Sequence, residues 1–292
     1  MADVAQGRSA SRTGTIAMLC LGRQPDEHAR NLKAHALQIE GAEQEAQRLG
    51  FRLEAFSPVL EKMSLQGLRK VLWTRSIQGL FVVPPPYQAK LDVSFFEGLA
   101  CTTIGHALEC PRLHRVVPLY HAGLRLAMRQ IWEQGYRSPG LLVRASTLER
   151  VEDIWLSGFL LEREYGPWPR KPPWLRLTVH ATTKRWSQIL PWVEKMGLDC
   201  LLVDDWNGDL TQFLRSEGLP IPGPMGYVDL SRNVVDPQIA GLEQSYRELG
   251  RWAVRSISSQ LQRNENGIPA QALHIGLPCE WHPGPSLSPR AA

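Results

Sequence analysis

The chain has 292 residues, 43% of them hydrophobic and 21% charged, which is enough for two domains of ordinary size with packed cores. The net charge is +4, and Lys and Arg are spread along the chain rather than clustered, so charge alone gives no argument for nucleic-acid contact. Five widely spaced cysteines are typical of reduced thiols. The N-terminal residues lack the apolar core of a signal peptide, and no stretch is long enough to span a bilayer. These features predict a cytoplasmic protein.

The first part of the chain predicts alternating strands and helices. Residues 1–14 are small, polar and Arg-bearing, which predicts a disordered leader. The apolar run TIAMLCL at 15–21 predicts a buried parallel strand. A helix follows and ends at Gly50. Its apolar face consists of Ile39, Ala42, Ala46 and Leu49. The next predicted elements are strand 51–56, helix 64–74, strand 79–83 and strand 101–105.

The alternation continues beyond a crossing at residues 116–118. The predicted elements are a helix from His121 to Gly135, strand 140–143, helix 151–164, strand 175–179, helix 186–196, strand 200–203, helix 210–217 and strand 227–229. Pro191 falls inside one predicted helix, which therefore starts later or is kinked there. This order predicts right-handed crossovers and doubly wound parallel sheets, an α/β fold.

Residues 236–261 organise the rest of the chain. A Pro-containing break is followed by a short extended apolar stretch and then by a helix without a long loop between them. One stripe of that helix repeats every fourth residue as Leu249, Ala253, Ile257 and Leu261. A strand passing directly into a helix this late in the chain indicates a return crossing between two α/β lobes.

Several residues resemble the LacI/GalR family of bacterial repressors. Pro237, Ile239, Gln244 and Gly250 stand at the family's spacings. Gly135-Tyr136-Arg137 and the turn at 218–222 are also similar to it. The resemblance covers residues 15 to about 287 and implies a periplasmic-binding-protein-like fold of type I, with two lobes joined by three crossings. The implied bounds are a leader or a remnant of the linker to a headpiece at 1–14, a first lobe at 15–117 with 243–263, a second lobe at 118–242 with 264–287, and a tail at 288–292. The turn-rich segment 263–269 would carry the third crossing, and 272–281 a closing strand.

The resemblance also implies a function. Such a chain would sense a small polar metabolite, a sugar for example, in the cleft between its lobes and would control transcription allosterically as a homodimer. Operator DNA would be read by a helix-turn-helix headpiece, and no paired short helices precede residue 15. The alternatives are a stand-alone sugar-binding protein and a headless dimerisation partner. No nucleophile elbow, phosphate-binding loop or dinucleotide motif is present, so neither an enzyme nor a cofactor is predicted.

Three acids stand at the carboxyl ends of predicted strands, where the ligands of such sheets bind. Asp204 and Asp205 can accept hydrogen bonds from sugar hydroxyls, hold a hard cation, or cap the next helix. The family usually has Asn-Asp here, with the Asn facing the effector, so the resemblance favours effector contact. Asp229 ends the next strand, where the family often has an acidic effector contact. Its alternative role is that of a turn residue.

Three further residues are candidate effector contacts. Trp155 stands where many family members have an effector-gripping Arg, and its ring could stack on a sugar or pack in the core. Arg150 lies earlier in the same region and could supply charge instead. His106 follows the fourth strand, where some relatives have a sugar-contacting acid. The gaps separating Cys101, His106, Cys110 and His114 match no zinc-ligand pattern, so no metal site is predicted.

Overall fold

The computed structural model describes residues 14–22, 32–177, 186–205, 208–232 and 236–290. Strands β1 to β14 are Gly14–Leu19, Phe51–Phe56, Gly79–Val82, Ala89–Lys90, Ala100–Ile104, Leu108–Cys110, His114–Pro118, Pro139–Arg144, Trp174–Leu177, Cys200–Val203, Gly226–Asp229, Ala240–Glu243, His274–Leu277 and Glu280–His282. Helices α1 to α8 are Leu32–Arg48, Leu65–Thr74, Tyr120–Glu133, Ala145–Arg150, Ile154–Tyr165, Ile189–Met196, Asp209–Ser216 and Tyr246–Gln262. Apart from Gly14, the predicted leader lies outside the described residues.

The described strands form two six-stranded sheets and a small two-stranded one. The first sheet has the order β2-β1-β3-β5-β7-β13 and is parallel throughout. The second has the order β9-β8-β10-β11-β12-β14, with only β14 antiparallel to its neighbour. We call each large sheet with its packed helices a lobe. The α/β fold with parallel sheets is confirmed.

The central strands of each sheet are buried on both faces, which explains their continuous apolar sequences. In β1, Ile16 and Met18 pack beneath α1 and α8, whereas Ala17 and Leu19 point to the opposite face and pack against α2. This alternation follows from the two-residue period of a strand. In the second lobe, β8 and β10 divide their residues between two apolar clusters in the same way.

The chain passes between the lobes at three places. It leaves the first sheet after β7 and enters α3 of the second lobe, and it returns from β12 through Gln244 and Ser245 into α8. The third passage joins β13 of the first sheet to β14 of the second. Two hydrogen bonds connect these passages. Leu119 N donates to Leu277 O over 2.8 Å, and Ser245 Oγ donates to Pro278 O over 3.0 Å.

The position predicted for the third passage is wrong. The turn at 263–269 stays in the first lobe, where Gly267 N donates to Leu99 O over 2.8 Å, and it leads into β13. The predicted closing strand 272–281 is two strands in different sheets. Pro278 lies between them, and proline has no N–H to continue a strand ladder. The other lobe boundaries stay a prediction.

Two predicted helices differ in their bounds. The helix predicted at 151–164 is preceded by α4, and a turn separates α4 from α5. Glu152 and Asp153 in that turn have φ angles of 52° and 54°, a left-handed conformation that side chains other than glycine rarely adopt. Helix α6 begins at Ile189, so Pro191 lies in its first turn, where a missing N–H is tolerated. None of the described helices has both the length and the apolarity needed to cross a membrane.

Candidate functional site

A cavity of about 90 Å³ lies between the two lobes. From the first lobe, α1 and the loops after β3 and β5 reach it. From the second lobe, α4, α5 and the loops after β10 and β11 reach it. Tyr120 and Tyr246, which begin the helices after the first and second passages, also line it. The cavity therefore lies at the carboxyl ends of both parallel sheets, where sheets of this kind bind ligands.

Asp204 lines this cavity and is only 2% exposed. Its Oδ2 accepts a hydrogen bond from Thr147 Oγ1 at 2.5 Å, and its Oδ1 accepts one from Ser231 Oγ at 2.6 Å. Gln244 Nε2 donates to the same Ser231 oxygen at 3.0 Å. The acid is therefore held by hydroxyl groups from α4 and from the loop after β11, and it is connected to the second passage. A carboxylate oxygen has room for a further donor, so effector contact remains open to it.

Asp205 does not line the cavity. Its oxygens accept hydrogen bonds from Leu210 N at 2.9 Å, Thr211 N at 2.8 Å and Thr211 Oγ1 at 2.6 Å. Arg144 Nη2 lies 3.3 Å from the carboxylate. Burial raises the pKa of Asp205, and the hydrogen bonds from Thr211 act in the opposite direction. The structure thus gives Asp205 the helix-capping role that was its alternative.

Asp229 does not line the cavity either. Its Oδ1 accepts hydrogen bonds from Ser231 N at 2.9 Å and from Asp205 N at 3.2 Å. Burial, followed by the charge of Asp205, raises the pKa of Asp229 to about 8. Burial therefore favours the neutral form of this carboxyl group. Its hydrogen bond with Ser231 N fixes the turn that places Ser231 beside Asp204. This agrees with the alternative role of Asp229 as a turn residue.

Trp155 packs in the core, at 1% exposed, and also lines the cavity. Its ring packs edge-on against Tyr120, with 4.9 Å between centroids. Arg150 is the last residue of α4, is half-buried and lines the same cavity. No hydrogen bond or ion pair joins Arg150 to another residue in the described part of the chain.

His106 reaches the cavity from the first lobe and is 6% exposed. Its Nδ1 lies 3.3 Å from Glu152 Oε2 of the second lobe, although the angle does not give a hydrogen bond. Arg115 Nη1 lies 4.0 Å from the other Glu152 oxygen. Burial lowers the pKa of His106, and the charge of Glu152 opposes that shift. The strained turn at Glu152 thus carries an acid across the boundary between the lobes.

Sequence reasoning missed several cavity residues. Gln38 is the most informative, because it is 6% exposed and its Oε1 has no hydrogen-bond partner within the described residues. It lies on α1, far along the chain from every predicted contact. Tyr246 lies two residues after the recognised Gln244, and that proximity was the available signal for it. Among the described residues, no three His, Cys, Asp or Glu side chains are grouped as metal ligands.

No protein-family model and no curated protein matches this sequence. Solved structures do match it. A LacI family transcriptional regulator from Enterococcus faecium with bound ribose has a TM-score of 0.68 at 15% identity and covers 95% of this chain and 100% of its own. A CelR–cellobiose complex has a TM-score of 0.64 at 14% identity, covering 92% of this chain and 83% of its own. The lac repressor dimer bound to operator and the anti-inducer ONPF has a TM-score of 0.67 at 13% identity, covering 96% and 83%.

These likenesses show that the chain has the two-lobed fold of LacI family regulators. The resemblance drawn from its residues is confirmed at the level of the fold. The structures it resembles are transcriptional regulators rather than enzymes.

Proposed function

We propose that this chain is the effector-sensing and dimerisation part of a cytoplasmic LacI/GalR-type transcriptional regulator. The observation that carries the proposal is the inter-lobe cavity, which receives Gln38 and His106 from one lobe and Asp204, Arg150 and Trp155 from the other. A solute that contacts both walls binds the closed arrangement more tightly than an open one. It therefore shifts the population of lobe arrangements.

Asp204, Trp155, Arg150 and His106 are proposed effector contacts, and Gln38 is added to them. Asp205 and Asp229 stabilise the second-lobe wall of the cavity without lining it. Asp205 accepts a hydrogen bond at the start of α7, and Asp229 accepts one from Ser231 N. The bound sugars of two similar structures support a small polar metabolite, a sugar for example, as the effector. The cavity is small beside common ligand pockets of about 300–1,000 Å³, so entry of such a solute requires the lobes to part.

The proposed regulator also dimerises and controls the binding of operator DNA. Trp73 on α2 is 81% exposed and Val93 is 50% exposed, and such apolar surface supports a subunit contact. A dimer would transmit the lobe arrangement to DNA-reading headpieces, as a coupling between two sites. Operator DNA is a partner only through a headpiece.

Thermal unfolding with a panel of monosaccharides and disaccharides tests the sensing role. A true effector at a hundred times its dissociation constant adds about 2.7 kcal/mol of stability. The Asp204→Ala variant should lose that gain. Sedimentation velocity tests dimerisation, and a Trp73→Glu variant should sediment as a monomer if α2 forms the contact. A panel without any stabilising compound would count against sensing, and a monomeric wild type against the dimer.

A further inference from the structure

Arg150 is a cationic side chain of the inter-lobe cavity. No hydrogen bond or ion pair joins it to any described residue, although the Asp204 carboxylate lines the same cavity. The two acids nearest to Arg150 in the sequence are engaged elsewhere. Glu149 lies 3.3 Å from Arg176, and Glu152 extends towards His106 and Arg115. A half-buried guanidinium offers five donors in a fork that matches an oxyanion.

Asp204 gives the same cavity an acceptor. Thr147, which donates to Asp204, and Arg150 are three residues apart on α4 and so share one helix face. The Asp204 acceptor and the Arg150 donor both line the cavity. A ligand that carries both an anion and hydroxyl groups offers a partner to each of them.

Gln38 and His106 supply the opposite wall. Gln38 Oε1 is buried and takes no hydrogen bond from the described residues, whereas His106 Nδ1 faces Glu152 at 3.3 Å. Buried polar atoms nearly always have partners, so the unpaired Gln38 oxygen indicates a polar ligand at this wall. Gln38 Oε1 is an acceptor and calls for a hydroxyl donor.

We propose that the effector is a small hydroxylated anion, such as a sugar acid or a sugar phosphate, whose oxyanion pairs with Arg150 and whose hydroxyls pair with Asp204 and Gln38. This inference rests on the proposed sensing function and specifies the chemistry of that site. A neutral sugar can accept hydrogen bonds from the guanidinium of Arg150 but supplies no negative charge to it. An anion without hydroxyls leaves Gln38 Oε1 without a donor.

Titration calorimetry of the full chain tests the inference with matched ligands: D-glucose, D-gluconate, D-glucuronate and D-glucose 6-phosphate, with acetate and inorganic phosphate as anions without a sugar. At least one acid or phosphate should bind ten times or more tightly than glucose, and more tightly than its bare anion. Arg150→Gln should weaken that binding by ten times or more. Arg129→Gln removes one exposed charge on α3 of the same lobe and should leave the binding unchanged.

The outcomes separate the two levels of the proposal. Glucose binding as tightly as its acids, or acid binding that survives Arg150→Gln, would overturn the anion inference while the sensing function stood. Failure of all four sugar-derived compounds would also overturn the inference. If the wider neutral sugar panel failed as well, the sensing function would fall with it. The sugar acids and the sugar phosphate are measured separately, so the class that binds more tightly identifies the oxyanion of the effector.

Discussion

The backbone carbonyl oxygen of Gln38 lies 1.8 Å from the point where a β-carbon on Gly250 would stand. Helices α1 and α8 therefore cross in direct backbone contact, and a second glycine, Gly41, faces the Arg247 carbonyl in the same way at 2.0 Å. This contact fixes the height of α1 over the first sheet. It thereby places the Gln38 side chain in the inter-lobe cavity.

Substitution of Gly250 by Ala should destabilise the protein. The added methyl group meets backbone rather than a flexible side chain, so α1 and α8 must move apart. Overpacking of this kind costs about 1–3 kcal/mol. Urea unfolding measures the loss. Gly67→Ala is the matched control, because its added carbon meets only the side chains of Met63 and Ser64 and alanine favours the helix. Equal stability of the two variants would contradict the close crossing.

Glu45 should stabilise the protein at neutral pH and lose this effect as the pH falls. It is 3% exposed, and hydrogen bonds from Arg48, and then from Arg255, lower its pKa to about 2 against the effect of burial. A carboxyl group with a lowered folded pKa contributes stability that is present above its unfolded value near 4.5 and is lost as pH falls towards 2.

Glu45→Gln should therefore lose about 1–2 kcal/mol at pH 7, a discounted figure because Arg48 is largely exposed. The difference between wild type and variant should shrink as pH falls from about 5 towards 2. Urea unfolding across this range provides the measurement. Glu43→Gln, on the exposed face of the same helix, should change stability little at any pH. A gap between Glu45→Gln and wild type that does not depend on pH would argue against the ion pairs.

Asp229 predicts the opposite dependence on pH. Its folded pKa of about 8 lies above the ordinary value of 3.8, because burial disfavours the charged form. The unfolded chain therefore releases this proton first, and wild type loses stability relative to Asp229→Asn as pH rises from about 4 to 8. Paired urea unfolding of both proteins at pH 5, 6, 7 and 8 measures the change. A difference that stays constant, or that moves in favour of wild type, would show that Asp229 is ionised in the fold.

Removal of the Asp205 cap should weaken the second lobe. Asp205→Ala leaves the N–H groups of Leu210 and Thr211 without their acceptor at the start of α7. Loss of such a cap costs about 1–2 kcal/mol, and the loss of the Arg144 contact adds to it. Urea unfolding reports the cost. If Asp205 were instead a direct effector contact, Asp205→Ala would abolish ligand binding while leaving the stability of the free protein unchanged.

The fold could be predicted from the sequence because periodicity specifies it directly. The stripe residues Leu249, Ala253 and Ile257 are each 0% exposed, as their four-residue spacing indicated. The third passage was misplaced for a local reason. A Gly- and Asn-rich turn predicts a reversal, but it does not specify which sheet the next strand joins.

The site could be predicted only in part. Asp204, Asp205 and Asp229 all stand at the carboxyl ends of strands, and the sequence alone does not distinguish which of them contacts an effector. Only Asp204 lines the cavity, because hydrogen bonds to the start of α7 and to the Ser231 turn hold the other two carboxyl groups away from it. Gln38 reaches the cavity because two helices cross without side chains between them. A contact between two helices that are far apart in the sequence leaves no periodic pattern in a single sequence.

The central claim is that two lobes close on one small solute, and hydrogen–deuterium exchange tests it most directly. The compound that stabilises the chain most should be added at saturation, and amide protection compared with that of the free protein. The account predicts slower exchange on both walls together, in residues 34–42 of α1 and in residues 145–155 around α4. Protection confined to one lobe, or centred on the surface groove at Trp132 and Trp168, would contradict it.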